Sequence, residues 1–195
     1  MAADLGPGAL LNGSVSMVLK GQRGLVRPWR ILDADALVRH ANNLEVARHL
    51  RDKFPHPYTR ADANAFLRHA VPAAPSERPT NLAIEVDGEA AGGIGFVRGA
   101  DVERFSAEIG YWLGEHYWRR GIVTEALELV SEHAFQEFNV LRLFALPFAD
   151  NIGSTRVLEK AGYLREGVLR FSSVKYGKAR DQYMYSRINP DWHFE

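Results

Sequence analysis

Apolar positions along the chain change period several times, and each change predicts an element. Ahead of residue 23 only a short patch, Val15 to Leu19, is apolar, so residues 1–22 read as a flexible lead-in or an edge hairpin. "GLVRPW" predicts a short strand stopped by Pro28, and Asp33 then caps a helix through Asp35, Leu37 and Val38. "NLEVARHL" continues helical after the Asn42-Asn43 break. "KFPHPYT" must be extended, because Pro55 and Pro57 push the residues before them out of the helical region. Thr59 caps the next helix, whose Ala63, Phe66, Leu67 and Ala70 share a face.

From Thr80 the period falls to that of strands. "NLAIEV", the turn "DGE", "AAGGIGFV" and "FSAEIGYWL" predict three sequential strands, with Asp87-Gly88 as a tight hairpin turn. The helical period returns near Thr124, with Val123, Leu127, Val130, Ala134 and Phe138 inward and Glu125, Glu128, Glu132 and Gln136 outward. "LRLFALPF" reads as a strand buried on both faces, "GSTRVLEKAG" as a short helix closed by Gly162, and "YLREGVLRF" and "DQYMYSRI" as two last strands. The order predicts an α/β (α+β) fold: a mixed, mostly antiparallel sheet of about six to seven strands with helices on both faces.

Composition narrows the chemistry. A chain of 195 residues fits one domain, here 23–195. Its 24 basic and 24 acidic side chains cancel, so no global field draws it to nucleic acid or to a membrane surface. The absence of cysteine removes disulfides, thiolate metal sites and cysteine nucleophiles. Seven histidines without a His-x-x-x-His spacing give no reason to expect a metal. The first residues lack a basic leader with an apolar core, and no apolar run approaches the roughly 20 residues that span a bilayer, so the expected location is cytoplasmic.

In "YWRRGIVTEALELV" two arginines and a glycine precede a helix. Free N–H groups at a helix start carry about half a positive charge, so such a turn can hold a phosphate, with Arg119 and Arg120 adding charge-assisted bonds. A nucleoside-triphosphate loop and a dinucleotide fingerprint are both excluded, since neither glycine pattern is present. The competing explanation is a solvated turn whose glycine serves only the backbone.

Together with the flanking "AEIGYWL" and "FADNIGSTRVLEKAGY", this segment resembles the GCN5-related N-acetyltransferase (GNAT) superfamily. The branch it is most similar to acetylates ribosomal-protein amino termini, and the likeness runs from Leu25 to Ile188. The resemblance implies acetyl-CoA as cosubstrate, no metal, and transfer of acetyl to a primary amine by direct attack in a ternary complex. It implies that main-chain amides of a Gln/Arg-x-x-Gly-x-Gly/Ala turn hold the coenzyme pyrophosphate. Trp118, Gly121 and Val123 match that turn, Trp118 replacing Gln or Arg and Val123 filling the Gly/Ala slot. The implied cofactor contacts are Trp118, Arg119, Arg120, Gly121, Ile122, Val123 and Thr124, with Ile109, Gly110, Tyr111 and Trp112 along the pantetheine arm.

The same resemblance gives Asn151 a pantetheine contact and Ser154 both a cofactor contact and the role of acid to the leaving sulfur. From the residues alone, both are helix-capping types. Glu108 is the candidate base, against the reading of a surface strand residue alternating with Ile109. A Glu used by some enzymes of the branch falls at Ser173 here. Phe54, His56 and Tyr58 are candidates to border the acceptor. The favoured acceptor is a protein α-amine, ribosomal or other; the alternatives are a small amine such as a polyamine, amino acid or aminoglycoside, or a non-catalytic acyl-CoA-binding module. The expected assembly is a monomer or homodimer.

Overall fold

The computed structural model describes residues 17–74 and 76–193. Most of the lead-in therefore lies outside the described residues. Its end, Leu19–Lys20 (β1), pairs antiparallel with Leu25–Pro28 (β2). Asn81–Val86 (β3), Glu89–Arg98 (β4) and Ser106–Leu113 (β5) follow as an antiparallel meander. Arg142–Ala145 (β6), Leu164–Lys175 (β7) and Lys178–Ile188 (β8) complete one eight-stranded sheet in the order β1-β2-β3-β4-β5-β6-β8-β7. β1 is the strand beyond the expected six to seven.

Helices Ala34–Ala41 (α1), Leu44–Ala47 (α2), Arg60–Ala70 (α3), Ile122–Glu137 (α4) and Ile152–Lys160 (α5) cover both faces. Two cores result. Ile84, Ile94, Phe96, Ile109 and Leu143 of the sheet bury against Leu127, Val130 and Ala134 of α4 and Leu158 of α5. On the opposite face Trp29 and Ala83 pack with Leu37 of α1 and Leu67 of α3. Burying such side chains stabilises each layer by about 1.5–3 kcal/mol apiece.

Several local outcomes differ from the pattern reading. Asp33 makes no side-chain cap to α1; its carboxylate takes a bidentate bond from the buried Arg27 guanidinium at 2.7 and 2.8 Å. α2 is a single turn, capped by Asn43, rather than a continuation through Leu50. α4 begins at Ile122, two residues before Thr124, because Gly121 takes the left-handed φ of 77° that turns the chain into the helix. The last two strands extend past "YLREGVLRF" to a tight turn at Tyr176-Gly177, both at positive φ.

β5 and β6 are the parallel pair, and they part early. Pairing covers only Ser106, Ala107 and Glu108 against Arg142, Leu143 and Phe144. β5 runs on to Leu113 with β4 alone beside it, whereas β6 stops at Ala145. The sheet opens at Ile109.

Candidate active site

One side of the opening leads to the start of α4. A 3-10 turn, Glu115–Tyr117, delivers Trp118, whose indole N–H donates to the Leu113 carbonyl at 2.7 Å. Arg119 and Gly121 both take positive φ, 62° and 77°. Arg120 lies over the Tyr117 ring, 5.4 Å from its centroid. No side chain caps α4, and among the described residues the amides from Arg119 to Thr124 have no hydrogen-bond partner. These donors, with adjacent guanidinium groups, fit a diphosphate of the size a coenzyme carries.

Glu125 does more than line the outer face of α4. Its carboxylate accepts from the amides of Gln22 and Arg23, each at 2.8 Å, so the β1–β2 turn is stapled to the first turn of the helix. Arg23 thereby reaches the anion turn: a Cβ built on Gly121 stands 3.1 Å from its Nε.

Across the opening, Asn151 caps α5 by accepting from the Ser154 amide at 3.1 Å. Tyr111 points from β5 to the same place, its phenol oxygen 2.9 Å from Ser154 Oγ. Burial pushes the Tyr111 phenol far above its ordinary range, against the smaller opposing effect of the Ser154 bond. Tyr111 and Ser154 are therefore a pair of neutral hydroxyls at working pH.

Strand alternation turns Glu108, Gly110 and Trp112 to the other face, toward α1 and α3. Trp112 packs edge-on to Phe54, ring centroids 5.4 Å apart, and Phe54 lies 5.1 Å from Tyr58. Tyr58 is 5% exposed and burial raises its phenol to about 12, so it backs the wall formed by Phe54 rather than lining a free surface. His56 is exposed. Between Glu108 and Trp112, a Cβ on Gly110 would meet nothing within 4 Å. Glu108 is paired with Arg51, which the sequence reading did not single out.

Residues 48–58 are themselves tied to the β7–β8 hairpin. Lys175 Nζ, buried, reaches Asp52 at 2.9 Å, and Arg180 donates to the Arg48 carbonyl at 3.1 Å. Ser173 donates to the Arg180 carbonyl within that hairpin. Among the described residues no group of three or more His, Cys, Asp or Glu is arranged to hold a metal, and no helix is long and apolar enough to cross a membrane. The strand run parted from its parallel neighbour thus lies beside a helix start whose amides are unpaired among the described residues. Residues 23–164 match the family described as the acetyltransferase (GNAT) domain, and the chain belongs to that family.

Individual relatives agree. The chain is similar to the probable N-acetyltransferase YjcK of Bacillus subtilis, 41% identical over 86 residues, 44% of this chain and 48% of that protein. It is also similar to the ribosomal-protein-serine acetyltransferase of Escherichia coli, 32% identical over 83 residues, 43% of this chain and 46% of the relative. In these matches the chain spans about half the length of the curated relatives. Its fold matches that of RimL, a ribosomal L7/L12 alpha-N-protein acetyltransferase in complex with coenzyme A. The TM-score is 0.74 at 18% identity, covering 88% of this chain and 98% of RimL.

Proposed function

We propose that this protein is a cytoplasmic acetyl-CoA-dependent N-acetyltransferase whose acceptor is a protein α-amine, a ribosomal-protein amino terminus among the candidates. Amides from Arg119 to Thr124 grip the pyrophosphate, with Trp118 leading into the turn and the Arg119 and Arg120 guanidinium groups at the rim. The main chain of Ile109, Gly110, Tyr111 and Trp112 lines the pantetheine arm, and Asn151 contacts it from α5. Bound acetyl-CoA supplies the activated acetyl group. Ser154 faces the leaving sulfur, and Glu108 faces the incoming amine beside a wall of Phe54 that Tyr58 backs from behind, with His56 at its outer edge.

The observation that carries the choice of acceptor is the pairing of Glu108 with Arg51. Arg51 already occupies the carboxylate that would have to receive the acceptor's proton, so the site favours an amine that arrives unprotonated. An α-amine with a pKa of about 8 is roughly a tenth unprotonated at neutral pH, whereas a lysine near 10.4 is unprotonated at under about one part in a thousand. A site whose carboxylate is already engaged therefore suits the α-amine.

Thiol release from acetyl-CoA, measured with peptides bearing free or blocked amino termini and with a panel of small amines, tests this. Turnover on free peptide termini is expected. Turnover on small amines alone removes the protein acceptor, and coenzyme binding without turnover on any amine makes the chain a binding module.

A further inference from the structure

Tyr111 has two possible acceptors on one residue: Ser154 Oγ at 2.9 Å and the Ser154 carbonyl at 3.3 Å. At the 2.9 Å contact either hydroxyl can donate, and the phenol, as the stronger acid of the two, is the better donor. Ser154 has little freedom to move away, since its amide is anchored to Asn151 at 3.1 Å. When the phenol donates to Oγ, the single serine proton is left for a partner outside the pair.

The geometry points to Tyr111 as a positioning residue for the leaving thiolate: its phenol donates into Ser154 Oγ and so turns the Ser154 O–H toward the sulfur. This rests on the transferase reading above. The two hydroxyls form a donor chain in which each bond polarises the next. As the amine lone pair forms the C–N bond, the C–S bond breaks and its electron pair stays on sulfur. The surplus amine proton leaves to solvent, and the Tyr111 and Ser154 protons stay where they are.

A hydrogen bond is what this leaving group needs. A thiol ordinarily has a pKa of about 8.5 and a phenol about 10. Tyr111 is pushed further up by burial, and an aliphatic hydroxyl is a weaker acid still. Full proton transfer from either group to the thiolate runs uphill, while donation to it stabilises the charge at no cost in ionisation.

The test compares binding of coenzyme A with that of its desulfo analogue by calorimetry, from about pH 6.5 to about pH 9. Stabilising the thiolate lowers the bound thiol's pKa, so the preference for coenzyme A must rise with pH across this range. Ser154→Ala should abolish the rise. Tyr111→Phe, which keeps the ring, should weaken it and lower kcat about tenfold at unchanged KM for acetyl-CoA, the loss of about one hydrogen bond. The double variant should be no slower than Ser154→Ala alone.

A wild-type preference that is flat with pH overturns the proposal and leaves the transferase reading standing. So does Tyr111→Phe with unchanged kcat, or with equal loss of affinity for both ligands, which would make the ring a packing strut. Failure of both ligands to bind overturns the transferase reading and this proposal with it.

Discussion

Arg51, in the segment after α2, pairs its guanidinium with the carboxylate of Glu108, 57 residues further on and at the point where β5 leaves β6. An ammonium arriving on that face competes with Arg51 for the same oxygens. Arg51→Ala should raise kcat/KM for the acceptor about fivefold, the scale of one exposed ion pair, with KM for acetyl-CoA unchanged. Glu108→Gln should lower it. Steady-state kinetics on both variants decides: equal effects in the same direction would show that Glu108 serves only the ion pair.

Gly110 has no structural reason to be glycine. Its φ is not positive, and a Cβ there meets nothing within 4 Å. In a strand interior, alanine at such a position gains about 0.5–1 kcal/mol over glycine. Gly110→Ala should therefore fold as well or better and bind coenzyme A normally, yet raise acceptor KM about tenfold or more by filling space the acceptor uses. Thermal denaturation beside kinetics reads both; unchanged acceptor KM would make the glycine incidental.

What the sequence reveals follows the range of the interaction. Asp87-Gly88 turns as read because both residues take positive φ, which only a few residue types tolerate. Thr59 caps α3 as read because its partner, Asp62, lies three residues away. The "YWRRGIV" turn is legible for the same reason, since its donors are consecutive amides. Arg51 gives no such signal: its meaning depends on β5, and one arginine near the "KFPHPYT" loop looks like any solvated charge. Tyr111 and Ser154 were each legible as members of a motif, but their pairing is created by the parting of the sheet.

Asp33 carries the same lesson into stability. A helix-start aspartate reads as a cap, and losing a cap costs about 1 kcal/mol. Here the carboxylate is the bidentate partner of Arg27, which is 2% exposed. Asp33→Ala leaves that cation without its bidentate partner, so the expected loss is about 3–5 kcal/mol. Thr59→Ala, a cap in fact, should cost about 1 kcal/mol. Urea denaturation of the two variants separates them, and a small loss at Asp33 would mean that Glu85, the second partner of Arg27, suffices alone.

The dependence of stability on pH should be set first by two histidines. His49 and His133 have their pKa values lowered, in each case chiefly by burial, with Arg48 adding to the effect at His49. His49 Nδ1 and His133 Nε2 are buried atoms with no hydrogen-bond partner among the described residues. Above about pH 6.5 both residues are neutral in the folded and unfolded chains, and stability is at its plateau. Below it the unfolded chain binds protons that the fold resists, so stability falls until the lowered folded values are reached. The depressed carboxylates, such as Glu166 with its bonds from Ser186 and Arg142, add their loss only lower, near and below about pH 4. Urea denaturation at about pH 7.5, 6 and 5 should thus show a decline before the carboxylates titrate, and His49→Gln with His133→Gln should flatten it. A wild-type curve level between about pH 6.5 and 5 would mean that both imidazoles accept protons inside the fold as readily as in water.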